Sequence, residues 1–211
     1  MKIIKPYYEF IGGFDPEEML KKIEMCGRVC YKSEDRITED SAARFVKGIV
    51  SRGHGSVLEH AGFTVKFVCD RGVSHELVRH RIASFSQEST RYINYANGKF
   101  GSEITVIDPC FFEVGSERYS IWKSSCEAAE QAYFELLNAG CAPEEARSVL
   151  PNSLKTELIV TANVREWRHI LSLRAARAAH PQARELMGRL LKELKEKAPA
   201  LFGGLNAEEE S

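Results

Sequence analysis

Residues 79–92 read RHRIASFSQESTRY, and they follow the apolar residues Val73, Leu77 and Val78. The spacing of those residues is typical of a helix face, so we expect a helix to end here and to be followed by a polar loop. The loop holds three arginines, three serines, a histidine and a carboxylate. Arginines present fixed forks of donors that suit phosphate, and serine hydroxyls add donors without charge. The stretch therefore predicts an anion pocket suited to phosphate.

Helices are predicted on both sides of this stretch. Asp15 and Pro16 are typical of a helix start, and the pattern continues to about Gly27. Apolar residues at three- and four-residue intervals, closed by a glycine, predict a long helix over 116–140. Further helices are predicted over 38–53, 143–151 and 181–197.

The strand signals are fewer and do not alternate regularly with the helices. Phe63, Val65, Phe67 and Cys69 occupy every second position, which predicts a strand with one buried face. Residues 103–107 form a weaker strand candidate, and 158–164 fits either a strand or a buried helix segment. We therefore expect an α+β fold, a single domain over residues 1–211, with a central mixed or antiparallel sheet flanked by helices. Residues 206–211 are predicted to be a solvated acidic tail.

Composition limits the classes of function. The chain has 211 residues and a formal net charge of -1, so it lacks the global positive field that non-specific nucleic-acid binding requires. No apolar run is long enough to span a bilayer, and the first residues lack a secretory signal, so we expect a cytoplasmic protein without membrane contact. The six cysteines are scattered, with no pair at the two-residue spacing of a zinc knuckle or redox dithiol.

The polar stretch resembles the signature of flavin-dependent thymidylate synthases, which is Arg-His-Arg, seven residues, then Ser. Ser89 stands at the serine position after Arg79-His80-Arg81. Three further segments resemble that family in the same order along the chain: 53–60, GHGSVLEH; 146–151, ARSVLP; and 163–165, NVR, with Leu173-Arg174. On these motifs the chain is identified as a member of that family.

The resemblance implies an activity. Such an enzyme methylates dUMP reductively to dTMP for de novo thymidylate synthesis, with methylenetetrahydrofolate as the carbon donor and FAD reduced by NADPH. It needs no covalent enzyme nucleophile, which agrees with the absence of cysteine from the candidate stretches. The resemblance also implies a homotetramer whose active sites are shared between subunits.

The resemblance further implies two groups of site residues. The flavin group is Ser56, Arg79, His80, Arg81, Gln87, Asn163, Arg165 and His169, with His54 as a candidate folate or flavin contact. The dUMP group is Glu76, Leu77, Val78, Arg79, Gln87, Glu88, Ser89, Thr90, Arg91, Arg147 and Arg174. Arg174 is the implied catalytic residue: its permanent charge prevents it from acting as a base but can stabilise negative charge on the uracil. No metal is expected.

Three residues depart from the family pattern. Glu76 stands where many relatives have glutamine, Ser56 replaces a threonine, and His169 occupies a position often held by asparagine. An ionised glutamate only accepts hydrogen bonds, so the contact of Glu76 with the pyrimidine is open.

The same residues are compatible with simpler structural roles and with other functions. Ser89 is also compatible with an ordinary loop hydroxyl, and Arg147 with a surface ion pair to Glu144. The rival functions are a nucleotide-binding module without turnover, an RNA-binding protein that stacks bases on Tyr92 and Tyr95, and a metal-dependent hydrolase.

Overall fold

The computed structural model describes residues 1–98 and 101–205. Within them the chain forms two units, each built from three separate segments. The first unit contains Met1–Tyr7, Phe67–Val78 and Ser86–Leu158, and the second contains Tyr8–Lys66, Arg79–Phe85 and the chain from Ile159 onward. Neither unit therefore corresponds to a continuous half of the sequence. The predicted acidic tail at 206–211 lies outside the described residues.

The described residues contain six strands in two sheets. The strands are β1 Lys2–Ile4, β2 Tyr7–Ile11, β3 Gly62–Asp70, β4 Ala83–Gln87, β5 Thr105–Ile107 and β6 Lys155–Asn163. Strands β1 and β5 pair in parallel, and the other four form a sheet in the order β2-β3-β6-β4. The combination of these sheets with helices confirms the predicted α+β class.

Helices begin where the sequence supplies caps. Asp15 Oδ1 accepts a hydrogen bond from Glu18 N at 3.0 Å, and Ser116 Oγ accepts one from Tyr119 N at 3.2 Å. The helices are α1 Pro16–Val29, α2 Ser41–Ser51, α3 Arg71–Leu77, α4 Glu117–Asn138, α5 Pro143–Ala146, α6 Val164–Arg174, α7 Pro181–Lys197 and α8 Pro199–Phe202. All six predicted helices are found, including the one that ends just before the polar stretch. Five agree within a few residues at their ends, whereas the helix predicted over 143–151 is α-helical only over Pro143–Ala146 and continues as a 3-10 helix over Arg147–Val149. In the part of the chain that is described, no helix combines the length and apolar character needed to cross a membrane.

The first unit has its own apolar core, to which α4 contributes one face. Cys126 and Tyr133 of α4 are buried together with Ile104, Val106 and Leu154. Trp122 Nε1 donates to Ser153 Oγ at 2.9 Å, so the polar atom of this large side chain has a partner. The apolar residues that recur at three- and four-residue intervals in the sequence form the face of α4 that packs in this core.

The second unit has an aromatic core around Phe63 at the start of β3. The Phe63 and Trp167 rings stack with centroids 4.9 Å apart and planes 10° apart, and Phe14 meets Phe63 edge-on at 4.9 Å. Trp167 Nε1 donates to the Phe63 carbonyl at 3.0 Å. These contacts anchor the first turn of α6 against β3, because Trp167 is the fourth residue of that helix and is fully buried.

One sequence prediction needs correction, and one alternative that the sequence left open is resolved. Residues 83–87, expected to be part of a polar loop, form strand β4, in which exposed Ser84 and Ser86 alternate with half-buried neighbours. Serine favours strands weakly, so the strand depends on its pairing with β6. Residues 158–164 belong to a strand as far as Asn163, after which α6 begins without having been predicted.

Candidate active site

Helix α6 carries the central residues of the candidate site in the second unit. Asn163 caps the helix, since its Oδ1 accepts a hydrogen bond from Glu166 N at 2.9 Å. Glu166 is thereby held in the first turn, His169 follows one turn later, and Arg174 is the last residue. Buried Trp167 sets the rotation of the helix.

A histidine cluster consists of His80, Glu166, His169 and Arg174. The Arg174 Nε donates to His80 Nε2 at 3.1 Å, and His80 Nδ1 lies 3.4 Å from Glu166 Oε1. The His80 and His169 rings are nearly perpendicular, with centroids 5.5 Å apart. His80 and Glu166 are only 5% and 7% exposed. Two buried ionisable groups thus lie side by side, and one of them, His80, contacts an arginine.

The pKa of His80 is lowered to about 4, first by burial and then by the positive charges of Arg174 and His169. The Glu166 carboxylate acts in the opposite direction, because a negative charge favours the imidazolium. Burial prevails, since the ring is almost fully enclosed and the guanidinium contact is the closer of the two. His80 is therefore neutral at neutral pH.

This shift predicts a loss of stability in mild acid. The unfolded chain binds a proton at His80 below pH 6.5 and the folded chain only near pH 4, so the contribution of His80 is complete above pH 6.5 and is lost as the pH falls through about 4. Between pH 7 and pH 5 the free energy of unfolding should fall by up to about 2 kcal/mol from this source. Urea unfolding at pH 7 and at pH 5 should show this fall in the free energy of unfolding in the wild type and not in His80→Gln. His60→Gln, at an exposed histidine, is the matched control and should keep the pH dependence of the wild type. Equal pH dependence of the wild type and His80→Gln would contradict the prediction.

An open cleft of about 490 Å³ lies over the histidine cluster. Its other lining residues are Arg79, Arg81, Ile82 and Leu173. A smaller hollow of about 360 Å³ shares Ile82, Glu166 and His169 with it and is also lined by Glu59, Asn163 and Arg165. The cleft combines arginines with an isoleucine that is 71% exposed. A ligand with anionic groups and a flat apolar ring fits this surface, and a flavin nucleotide has both.

Six of the eight predicted flavin residues line these two hollows: Arg79, His80, Arg81, Asn163, Arg165 and His169. Ser56 and Gln87 do not. Ser56 is exposed in the short 3-10 helix Gly55–His60, and His54 is exposed just before it. Gly55 lies against Arg165, because a Cβ at Gly55 would come within 3.1 Å of the Arg165 Nε. The glycine thus lets the GHGS segment approach the arginine of α6.

His80, Glu166 and His169 are also spaced so that they could hold a metal ion, with ligand atoms within 4.8 Å of one another. However, a guanidinium has only donors, so the bond from Arg174 occupies the lone pair of His80 Nε2. A metal at either nitrogen of His80 would have to displace Arg174 or the Nδ1 proton. The arrangement favours a hydrogen-bonded network, and the absence of a metal stays a prediction.

A second group of predicted residues meets in the first unit, in the loop that follows β4. Arg147 Nη1 donates to Thr90 Oγ1 at 3.3 Å, and Ser89 Oγ accepts from Arg91 N at 3.2 Å. Arg91 forms an ion pair with Glu144 at 2.6 Å. Glu144, which the sequence offered as an alternative ion-pair partner of Arg147, is paired with Arg91. Two arginines and two hydroxyls lie together here, which is a suitable set for an anion.

Gln87 and Glu88 are engaged within the protein. Gln87 Nε2 donates to Ser74 Oγ at 2.8 Å and to Thr156 Oγ1 at 3.3 Å. Glu88 Oε2 accepts from Lys155 Nζ and from the Glu157 backbone N, both at 3.0 Å. These contacts tie the end of β4 and the start of the loop to α3 and β6. A nucleotide contact from the Gln87 nitrogen or from this Glu88 oxygen would have to share or replace them.

Three predicted nucleotide contacts lie at the end of α3. Leu77 is 2% exposed, so any contact from it to a ligand would have to come from its backbone. Val78 caps the helix and is 37% exposed, and Glu76 is half-buried. The assignment of Glu76, Leu77 and Val78 to dUMP stays a prediction.

The sequence predictions missed Glu166 and Lys155. Glu166 precedes His169 by three residues, the spacing of neighbours on one helix face, and this signal could have been used had α6 been predicted. Lys155 and Glu157 alternate with buried residues along β6, and both are joined to each other at 2.8 Å. The contacts of Glu166 with His80 and of Lys155 with Glu88 could not be predicted from local spacing, because each joins segments that are distant in sequence.

The chain is similar to known proteins in both sequence and fold. Residues 15–200 match the family described as thymidylate synthase complementing protein. The chain is 36% identical to a flavin-dependent thymidylate synthase of Geobacter sulfurreducens, over 89% of this chain and 81% of that protein. It is 37% identical to a flavin-dependent thymidylate synthase of Pyrococcus furiosus, over 82% of this chain and 70% of that protein. Among solved structures, it is similar to the UMP/dUMP methylase PolB from Streptomyces cacaoi bound with 5-Br dUMP, with a TM-score of 0.75 and 25% identity over 96% of both chains.

Proposed function

This chain belongs to the flavin-dependent thymidylate synthase family, and from that premise we propose that it methylates dUMP reductively to dTMP in de novo thymidylate synthesis. The prediction of family from the Arg-His-Arg and serine signature is confirmed. Family membership makes the protein an enzyme with a flavin cofactor. That the flavin is FAD, that NADPH reduces it and that methylenetetrahydrofolate gives the carbon are parts of the proposal.

The observation that carries the proposal is the loop in the first unit where Arg147, Thr90, Ser89 and Arg91 lie together. Arginine forks and hydroxyls are the donors that a nucleotide phosphate requires. The similar Streptomyces structure contains 5-Br dUMP, which supports a pyrimidine nucleotide as the ligand. The Arg91 pair with Glu144 is exposed on both sides, so a phosphate could replace it at small expense in free energy.

In the second unit, the proposed flavin residues offer charge and apolar surface in one cleft. Arg79 and Arg81 are exposed at its edge, where they can bind the cofactor's phosphates, and Ile82 can lie against its ring. A bound flavin supplies hydride transfer, which is what the carbon of methylenetetrahydrofolate requires to reach the oxidation level of a methyl group. The protein's own residues bind and orient the reactants and place charge.

The cysteines are consistent with a reaction that uses no covalent enzyme nucleophile. Cys69 and Cys126 are buried, and burial raises the pKa of both thiols, which disfavours the nucleophilic thiolate. Cys26, Cys30, Cys110 and Cys141 do not line either hollow at the histidine cluster. Activation of the uracil would then depend on electrostatic stabilisation, which we assign to Arg174.

The remaining parts of the proposal concern assembly and setting. We expect a homotetramer with active sites shared between subunits, in which residues 1–211 act as one functional domain. We also expect a cytoplasmic enzyme that binds dUMP and folate and neither nucleic acid nor membrane. The near-neutral net charge supports the absence of non-specific nucleic-acid binding.

Purified protein supplemented with FAD should oxidise NADPH and form dTMP from dUMP and methylenetetrahydrofolate, as detected by mass spectrometry. Arg147→Ala should raise the KM for dUMP by about 10- to 100-fold, because it removes a charged hydrogen-bond donor worth about 1.5–3 kcal/mol. Arg118, an exposed arginine of α4 in the same unit, is the matched control, and Arg118→Ala should leave the KM unchanged.

Because the similar Streptomyces protein is described as a UMP/dUMP methylase, UMP should be tested in the same assay. A protein that binds no FAD, or that holds FAD but forms no methylated nucleotide, would overturn the proposed activity. Methylation of UMP in preference to dUMP would replace the proposed substrate.

A further inference from the structure

Glu166 and Arg174 lie near opposite ends of α6, eight positions apart. That separation is about 12 Å along the helix axis, beyond the three- or four-residue spacing at which helix side chains meet. His80 contacts both of them although it is remote from α6 in sequence. One buried ring thus bridges the beginning and the end of the helix.

The direction of the Arg174–His80 hydrogen bond, and the position of the ring proton, follow from the chemistry of the groups. Arginine has donors and no acceptor, so the 3.1 Å contact from Arg174 Nε requires a lone pair on His80 Nε2. The proton of the neutral ring must then be on Nδ1, which faces Glu166 Oε1 at 3.4 Å. The Glu166 carboxylate lies close enough to attract this proton electrostatically, and Glu166 is itself held in the first turn of α6 by the Asn163 cap. The three side chains form a directed series: Arg174 to His80, and His80 to Glu166.

We propose that Glu166 is a positioning residue that acts through His80 to hold the guanidinium of Arg174 in the plane required for its contact with the uracil. The inference rests on the proposed function, which places Arg174 beside the nucleotide. A guanidinium is planar, so a fixed bond at Nε fixes the plane of its two terminal nitrogens. The burial of Glu166 and His80 keeps water from competing for the bonds that set this plane.

Replacement of Glu166 tests the role in turnover. Glu166→Leu removes the acceptor, lets the His80 ring turn, and should slow flavin reoxidation by dUMP and methylenetetrahydrofolate by about 10- to 100-fold, with a smaller effect on the dissociation constant for dUMP. Glu166→Gln keeps a carbonyl acceptor and should recover most of that rate. Reduction of the flavin by NADPH is measured separately in FAD-saturated protein, so that a damaged cofactor site is not counted as slower reoxidation. Glu196→Gln, at an exposed position of α7, is the control for loss of one carboxylate.

The tautomer of His80 gives a readout that does not depend on turnover. In FAD-bound protein labelled with 15N-histidine, solid-state NMR should show one ring protonated at Nδ1 only, and this signal should disappear in His80→Gln. The same ring should lose its single tautomer in Glu166→Leu and retain it in Glu166→Gln.

The outcomes separate this inference from the proposed function. A proton on His80 Nε2 in the wild type, or a wild-type reoxidation rate in Glu166→Leu, would overturn the role of Glu166 even if dTMP is formed. If Glu166→Leu fails to retain FAD, the tautomer in the wild type and the rate of Glu166→Gln still decide. A wild-type protein that forms no dTMP would overturn the proposed function, while the tautomer would still decide whether His80 joins Arg174 to Glu166.

Discussion

Replacing Arg174 with alanine is expected to abolish most dUMP-dependent turnover while FAD still binds. Arg174 is the last residue of α6, and its side chain donates a hydrogen bond to buried His80. The guanidinium is therefore held at the edge of the cleft rather than extended into solvent. Loss of one preorganised charge contact in a transition state typically costs on the order of 3 kcal/mol, or about a hundredfold in rate. Flavin reoxidation by dUMP and methylenetetrahydrofolate measures this step apart from reduction by NADPH.

Arg174→Lys refines the same experiment. Lysine keeps the positive charge but lacks the planar fork and the Nε donor that meets His80, so its rate should lie between those of wild type and Arg174→Ala. Arg44, an exposed arginine of α2 in the same unit, is the control for loss of one surface charge. Wild-type turnover of dUMP by Arg174→Ala, with unchanged nucleotide affinity, would remove the role assigned to Arg174 and leave the family assignment intact.

Of the substitutions considered, Trp167→Ala is expected to lower the free energy of unfolding most. The indole is fully buried, stacks on Phe63 at 4.9 Å and donates to the Phe63 carbonyl at 3.0 Å. Truncation of a buried tryptophan typically lowers the free energy of unfolding by about 3–5 kcal/mol, through lost burial and the cavity left behind. Urea unfolding at fixed protein concentration, followed by circular dichroism, measures the change.

Trp167→Phe separates the two contributions. It keeps an aromatic ring on Phe63 but leaves the Phe63 carbonyl without its indole donor, so the loss should be smaller, about 1–3 kcal/mol. Both variants alter the anchoring of α6, so FAD affinity should fall in the same order as stability. A Trp167→Ala protein with the wild-type unfolding midpoint would show that α6 is held by other contacts.

Family identity could be read from the sequence because it depends on residue types in a fixed order. The Arg79-His80-Arg81 triplet, Ser89 and the 163–165 segment stand at their intervals whatever the chain does in three dimensions. Helices α1 and α4 could also be predicted from the sequence, since their caps and apolar faces depend only on neighbouring residues. The sequence also singled out Ser89, Thr90, Arg91 and Arg147, which lie together in the structure, and their roles toward dUMP stay predictions.

Strand β4 and the ion-pair partners of the charged residues could not be predicted from the local sequence. Ser84 and Ser86 carry little strand preference of their own, so pairing in the sheet outweighed local composition. The spacing made an ion pair of Glu144 with Arg147 one alternative, yet Glu144 pairs with Arg91, which lies 53 positions away. Local spacing predicts candidates for an ion pair, and the fold selects among them.

The sequence by itself determined the family, the α+β class, the long helices and the segments that supply the candidate site. Only the tertiary structure decided that Glu166 and Arg174 meet the two sides of His80, because the arginine and the histidine are 94 positions apart. Tautomer, burial and the depressed pKa of His80 all follow from that meeting. Short-range patterns record which elements form, whereas the protonation and orientation of a buried side chain depend on the charges and donors that packing brings to it.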